Sequence, residues 1–161
     1  FFGVVTIMAR PSKRLQKERA RFEDDSMGMT LDVQNDGTWI VGITGAPDTL
    51  YAGEFYQLRV KFESDYPLQS PEVVFLEPAP EHPFIYSNGF ICFTGMKDEH
   101  GRYIYDDWTP SLTVHQVCLS LLSMLSAATE KSRPEDNDAL VQHWQEARAS
   151  PKNYGYMHFQ P

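Results

Sequence analysis

Two cysteines supply the nucleophilic chemistry open to this chain of 161 residues, and they occupy opposite settings. Cys92 ends the segment HPFIYSNGFIC, which begins at His82 and carries the turn-forming run Tyr86-Ser-Asn-Gly89. A cysteine beside a turn is open to a large partner. A thiolate is both a good nucleophile and a good leaving group, so it can hold an acyl group as a thioester and pass it on. The bland alternative is a small buried hydrophobe, the usual state of a free cysteine. Cys118 lies on an apolar helical stripe and is read as core. His82 either holds the loop by hydrogen bonds or acts as a base, and the first role suits it better. Asn88 either donates a hydrogen bond to a tetrahedral oxyanion or braces the turn, as Asn-Gly pairs do. A thiol protease pairing Cys92 with His82 is disfavoured. Such a site needs a base on a facing element plus an orienting group, and only ten positions of one loop separate the two residues here.

The elements that must position these groups follow from pattern. Ser12 to Glu23 is charged and free of Pro and Gly, a first helix whose apolar face is little more than Leu15 and Phe22. Thr38 to Thr44, the strictly alternating Glu54 to Glu63, and Val73 to Leu76 read as strands, with Met29 to Val33 at an edge. Asn35-Asp-Gly37 and Gly45-Ala-Pro-Asp48 turn them into an antiparallel meander. Leu112 to Leu125 places Val114, Val117, Cys118, Leu121, Leu122 and Leu125 on one helical face, with Thr113 and Gln116 as a capping box. A last helix spans Asp138 to Arg148, with Leu140, Trp144 and Ala147 on one face.

Bulk properties narrow the class. The length suits one domain: residues 1–10 as an N-terminal extension, 11–150 as the core and 151–161 as a tail. A net charge of −8 argues against nucleic acid as the main partner. Two cysteines without a CxxC pair argue against a disulfide framework and against a structural metal. The apolar start FFGVVTIM is too short to span a bilayer and lacks signal-peptide anatomy, so no membrane role is expected, and Met8 is a natural start. A working thiol suits a reduced compartment, cytoplasm or nucleus.

Four signals stand in order: YPLQSP (Tyr66 to Pro71), HPFIYSNGFIC, Trp108-Thr-Pro-Ser-Leu112, and the apolar helix. In that order they resemble the ubiquitin-conjugating enzyme family, whose members carry YPxxxP, a His-Pro-Asn tripeptide, an acceptor cysteine at the His82-to-Cys92 spacing, and Trp-x-Pro before a long helix. The stretches RLQKE, GMTL, IYSNGFIC, VCLSLLSML and RPEDN are similar to the W type of that family, which modifies N-terminal α-amino groups. The resemblance covers Pro11 to Arg148.

The resemblance implies an α+β ubiquitin-conjugating fold: N-terminal helix, four-stranded antiparallel meander, active-site loop, long central helix and C-terminal helix. It implies that Cys92 accepts ubiquitin as a thioester from an activating enzyme. That enzyme uses the ATP, so the chain needs no cofactor of its own. Transfer to an amine of a protein substrate follows, aided by ligases of the RING or U-box type. Lys13, Arg14 and Lys17 of the first helix, with Leu68 and Thr109, Pro110 and Ser111, match positions where members meet the activating enzyme and ligases. Leu68 is aliphatic where many members have Phe. One acidic residue of the run Asp136-Asn137-Asp138 is expected to face the cysteine, which one being open, and at least one of the three is a helix N-cap.

Two departures stand out. Phe84 occupies the position of the family's Asn, where the W type carries His, and Phe cannot donate a hydrogen bond to an oxyanion. Cys92 and Trp108 are sixteen positions apart, longer than in the W type. The added stretch lies within Met96 to Asp107 and holds Asp98, Glu99 and Tyr103. It is either an inert surface loop or similar to the acidic insertions of some chain-building members. These departures leave an alternative, a non-catalytic ubiquitin-binding relative of the same fold, against which Cys92 itself speaks.

Overall fold

A computed structural model describes residues 12–92 and 108–149. Helix α1 (Lys13–Glu23) starts at Ser12, whose hydroxyl accepts from the Leu15 amide. Strands β1 (Thr30–Val33), β2 (Trp39–Thr44), β3 (Phe55–Lys61) and β4 (Glu72–Phe75) follow as an antiparallel sheet in chain order. Helices α2 (Val114–Ser126) and α3 (Asn137–Ala149) complete the described elements.

Register explains the core. Val41, Leu58 and Phe75 lie directly opposite one another on three neighbouring strands, and all three are buried. Alternation puts Trp39, Ile43, Val60 and Val73 on the same inner face. That face meets Val114, Cys118, Leu121, Leu122 and Leu125 of α2 in one cluster. The capping box forms as the spacing implies: the Gln116 amide donates to Thr113 Oγ1, and Gln116 Oε1 accepts from the Thr113 amide. The helix starts at Val114 rather than Leu112, because Thr113 is its cap.

Helix α1 is more than a solvated charge run. Leu15, Glu18 and Phe22 fall at helical spacing on its inner face, and Glu18 is only 1% exposed. Its carboxylate accepts from Arg14 Nε at 2.6 Å, from the Tyr66 hydroxyl, and from the Val114 amide at 2.8 Å. The last bond gives α2 a partner for one of its otherwise unpaired first-turn N–H groups, and places negative charge at the positive end of that helix. One buried carboxylate thus joins α1, the Tyr66 loop and α2.

Candidate active site

The segment around Cys92 is a small hairpin. Ile85 pairs with Ile91 in an antiparallel bridge. On either side of that pair the Cys92 amide donates to the Phe84 carbonyl at 2.8 Å, and the Tyr86 amide donates to the Phe90 carbonyl at 2.9 Å. Ser87, Asn88 and Gly89 form the three-residue loop, closed by the Gly89 amide on the Tyr86 carbonyl. Gly89 adopts φ 85°, and its carbonyl accepts from the Phe75 amide at 2.8 Å. A Cβ at Gly89 would sit 1.8 Å from the Phe75 carbonyl oxygen, so only glycine lets the hairpin dock on the end of β4.

Pairing fixes which side chains share a face. Residues directly opposite in an antiparallel pair project to the same side, and neighbours alternate. Ile85 and Ile91 therefore point together, and both are buried in the core cluster. Tyr86, Phe90 and Cys92 occupy the other face, while Phe84 stands in the turn that the Ile85 amide closes on the His82 carbonyl at 3.0 Å.

Three groups hold this hairpin and the approach to it. Arg133 Nη1 donates to the Pro80 carbonyl at 2.5 Å and the Ile85 carbonyl at 3.1 Å, while Nη2 donates to the Ala79 carbonyl at 2.9 Å. The hydroxyl of the buried Tyr51 donates to the Glu81 carbonyl at 2.5 Å. His82 Nδ1 accepts from the Phe84 amide at 3.0 Å. Burial holds the His82 imidazole below its ordinary pKa, against a smaller opposite effect of a hydrogen bond to the Met124 backbone. Its contacts are those of a neutral imidazole holding the loop.

Cys92 is 8% exposed, not the open residue expected from its place after a turn. The bond from its amide to Phe84 draws it in beside the hairpin's first arm. Cys118 is fully buried, and burial pushes its thiol up to about 12, so it offers no thiolate near neutral pH. Asn88 Oδ1 accepts from the Phe90 amide at 3.2 Å, so its side-chain oxygen braces the turn. Phe84 is 50% exposed, with its ring centroid 5.5 Å from that of His82.

The run 136–138 is brought to the hairpin tip. The Asp136 carbonyl accepts from the Leu140 amide, the bond expected of a cap residue, and its Oδ1 accepts from the Tyr86 hydroxyl at 3.1 Å. Asn137 Oδ1 accepts from the Ser87 amide at 2.8 Å, and Asn137 Nδ2 donates to Asp138 Oδ1 at 2.9 Å. Trp144 of α3 packs on Tyr86 and Phe90, with ring centroids 5.8 and 4.5 Å away. The start of α3 therefore covers the hairpin face that also carries Cys92.

A second group gathers at the ends of α1 and α2. Trp108 Nε1 donates to the Pro67 carbonyl at 2.9 Å, which sets the Leu68 loop beside Thr109, Pro110 and Ser111. Leu68 is 74% exposed, and those three residues are exposed with it. Lys13 and Lys17 are exposed as expected of a docking surface, but Arg14 is not a free cation. It bonds Glu18 and the Leu112 carbonyl and lies over the Tyr66 ring, because Glu18 needs a charge partner where it is buried. Asp98, Glu99 and Tyr103 lie outside the described residues. Among the described residues no group of His, Cys, Asp or Glu could hold a metal ion.

Sequence reasoning singled out neither Arg133, Tyr51 nor Glu18. Glu18 was visible as a charge on the Leu15 and Phe22 stripe. The hairpin was visible too: Phe84-Ile-Tyr86 and Phe90-Ile-Cys92 mirror each other about Ser87-Asn88-Gly89.

A cysteine on a hairpin docked to a four-stranded meander, with α2 in the core and α3 packed on the hairpin, is an arrangement with known relatives. The family profile described as Ubiquitin-conjugating enzyme matches residues 14–156. The chain belongs to the ubiquitin-conjugating enzyme family. It is 43% identical over 155 residues to the Probable ubiquitin-conjugating enzyme E2 16 of Arabidopsis thaliana, covering 95% of this chain and 91% of that one. It is 46% identical over 140 residues to the Probable ubiquitin-conjugating enzyme E2 W-A of Danio rerio, covering 83% and 87%. The crystal structure of the ubiquitin conjugating enzyme E2 UbcA1 from Agrocybe aegerita has a TM-score of 0.68 and 36% identity, covering 87% of this chain and 94% of that one.

Proposed function

We propose that this chain carries ubiquitin as a thioester on Cys92 and delivers it to a protein amine, with N-terminal α-amines served ahead of lysine. One observation carries the reading. Of the two cysteines, one is sealed in the core with a raised pKa, and the other ends a docked hairpin with its amide bonded to the carbonyl of the exposed Phe84.

The transfer step balances simply. The amine nitrogen attacks the thioester carbonyl, a C–N bond forms, the C–S bond breaks, and sulfur leaves with the electron pair as thiolate. The amine's proton goes to solvent. The Phe84 side chain has no donor to offer the oxyanion, so the site lacks the aid that an Asn at this position would give. Loss of one oxyanion donor costs on the order of a hundred- to thousandfold.

A more available nucleophile offsets that loss. With pKa about 7.7–8.0 against about 10.4, roughly a quarter of α-amines but only about a thousandth of lysines are neutral near pH 7.4. The factor of a few hundred is partly reduced because the less basic amine attacks more slowly. The resemblance of the sequence to the W type implies the same preference.

Leu68, Thr109, Pro110 and Ser111, with Lys13 and Lys17, are the surface we assign to the activating enzyme and to RING or U-box ligases. A large apolar side chain left in solvent beside a polar loop fits a docking role. The reading places the protein in the cytosol or nucleus, where thiols stay reduced.

The test is discharge of loaded protein onto a peptide with a free N-terminus and onto its N-acetylated, lysine-containing twin. The free peptide is expected to discharge the thioester faster. Faster discharge onto the acetylated twin contradicts the preference.

A further inference from the structure

The Phe84 ring has no folding duty that accounts for it. Its backbone does the structural work: its N–H bonds His82 and its carbonyl holds the Cys92 amide. Any residue could make those bonds. The ring itself rests against His82 on one side and is half in solvent, while Ile85 and Ile91 of the same hairpin are buried.

Its position is more telling than its exposure. The Phe84 carbonyl accepts from the Cys92 amide at 2.8 Å, so this exposed residue lies backbone to backbone against the residue that carries the thiol. A backbone hydrogen bond of this kind sets the two Cα atoms roughly 5.5 Å apart. Of the exposed large hydrophobics among the described residues, only Phe84 is bonded to the Cys92 backbone.

We propose that Phe84 is a specificity-determining residue that reads the acceptor: its ring is an apolar lip beside the thioester that takes an apolar side chain on the residue whose α-amine attacks. The proposal rests on the reading that Cys92 carries the thioester. The reach is set by covalent geometry. In an N-terminal residue the side chain begins two bonds from the attacking nitrogen, so it arrives at the ring as the nitrogen arrives at the carbonyl carbon. In a lysine acceptor four methylenes intervene, and the neighbouring side chains stay out of reach. Sequence selectivity is therefore expected for α-amines and not for lysines. A closed apolar pocket separates ligands that differ by one methylene about 10- to 200-fold, and a one-sided ring contact is worth less, about three- to tenfold.

The experiment loads four proteins with ubiquitin through the activating enzyme and ATP: the unaltered chain, Phe84→Leu, Phe84→Ala and Phe84→Asn. Each is discharged in single turnover onto peptides identical except for Leu or Ser at residue 1, and onto N-acetylated lysine peptides with the same Leu or Ser beside the lysine. The readout is the Leu-to-Ser rate ratio within each loaded protein, so differences in loading cancel. The unaltered chain is expected to give about three- to tenfold for free N-termini. Phe84→Leu keeps the ratio, Phe84→Ala and Phe84→Asn bring it to unity, and the lysine peptides give unity throughout. A ratio of unity in the unaltered chain, or one that survives Phe84→Ala, overturns the inference while leaving the thioester on Cys92 intact. Absence of a reducible adduct on Cys92 overturns both.

Discussion

Replacing Arg133 by Met should loosen the hairpin that carries Cys92. Among the described residues, the guanidinium alone is observed to bond the Ala79, Pro80 and Ile85 carbonyls together. Those three residues are buried, so the carbonyls lose a charged donor and gain only what water can reach. Hydrogen bonds to charged groups are worth about 1.5–3 kcal/mol each. Arg133 is partly exposed, and water restores a share of that, leaving a net loss of roughly 3 kcal/mol. In a domain of this size about 1 kcal/mol moves Tm by about 2–4 °C, so Tm should fall by about 6–12 °C. The local effect is the sharper test. Ile85 adjoins Phe84, whose carbonyl holds the Cys92 amide, so amide hydrogen exchange should accelerate across 84–92 and thioester formation should slow. Arg133→Lys should fall between the two, because a point charge lacks the planar fork that spans three carbonyls. An Arg133→Met protein within about 0.5 kcal/mol of the parent, the size of an ordinary surface change, with unchanged exchange at 84–92, would refute the clamp.

Two further outcomes are expected. Gly89→Ala combines a positive φ with backbone overlap at Phe75, and should cost at least about 2 kcal/mol in chemical denaturation; a neutral result would mean the hairpin docks differently. His82 is held neutral by burial while the unfolded chain takes the proton near pH 6.5, so stability should fall as pH drops below about 6.5, by at most about 1.4 kcal/mol per pH unit, until the lowered folded pKa is passed. His82→Gln should remove that part of the slope, and identical pH profiles of unfolding free energy for the two proteins would contradict it.

The frame of the fold was legible because its signals are local. The period-2 run of β3 and the apolar stripe and capping box of α2 are properties of neighbouring residues, and each appears within a residue or two of its expected place. The site was legible only as a position in the chain. Nothing near Arg133 in sequence announces that it will meet three carbonyls more than forty residues away. Glu18 is similar: its burial depends on Tyr66 and Val114 being brought to it. Arg14 was assigned to a docking surface from its charge, and the structure uses that charge to neutralise Glu18. Cys92 was expected in the open because a turn precedes it, but the turn closes a hairpin and the hairpin's second arm is drawn inward.

The most direct measurement of the central claim is the chemistry of the adduct formed with ubiquitin, activating enzyme and ATP. The unaltered chain and Cys118→Ala should each form an adduct cleaved by thiol reductant, since Cys118 is a core residue with its pKa near 12. Cys92→Ser should form only an oxygen ester that resists the same reductant. A reducible adduct on Cys92→Ser, or its loss in a folded Cys118→Ala protein, would contradict the assignment of Cys92 as the acceptor.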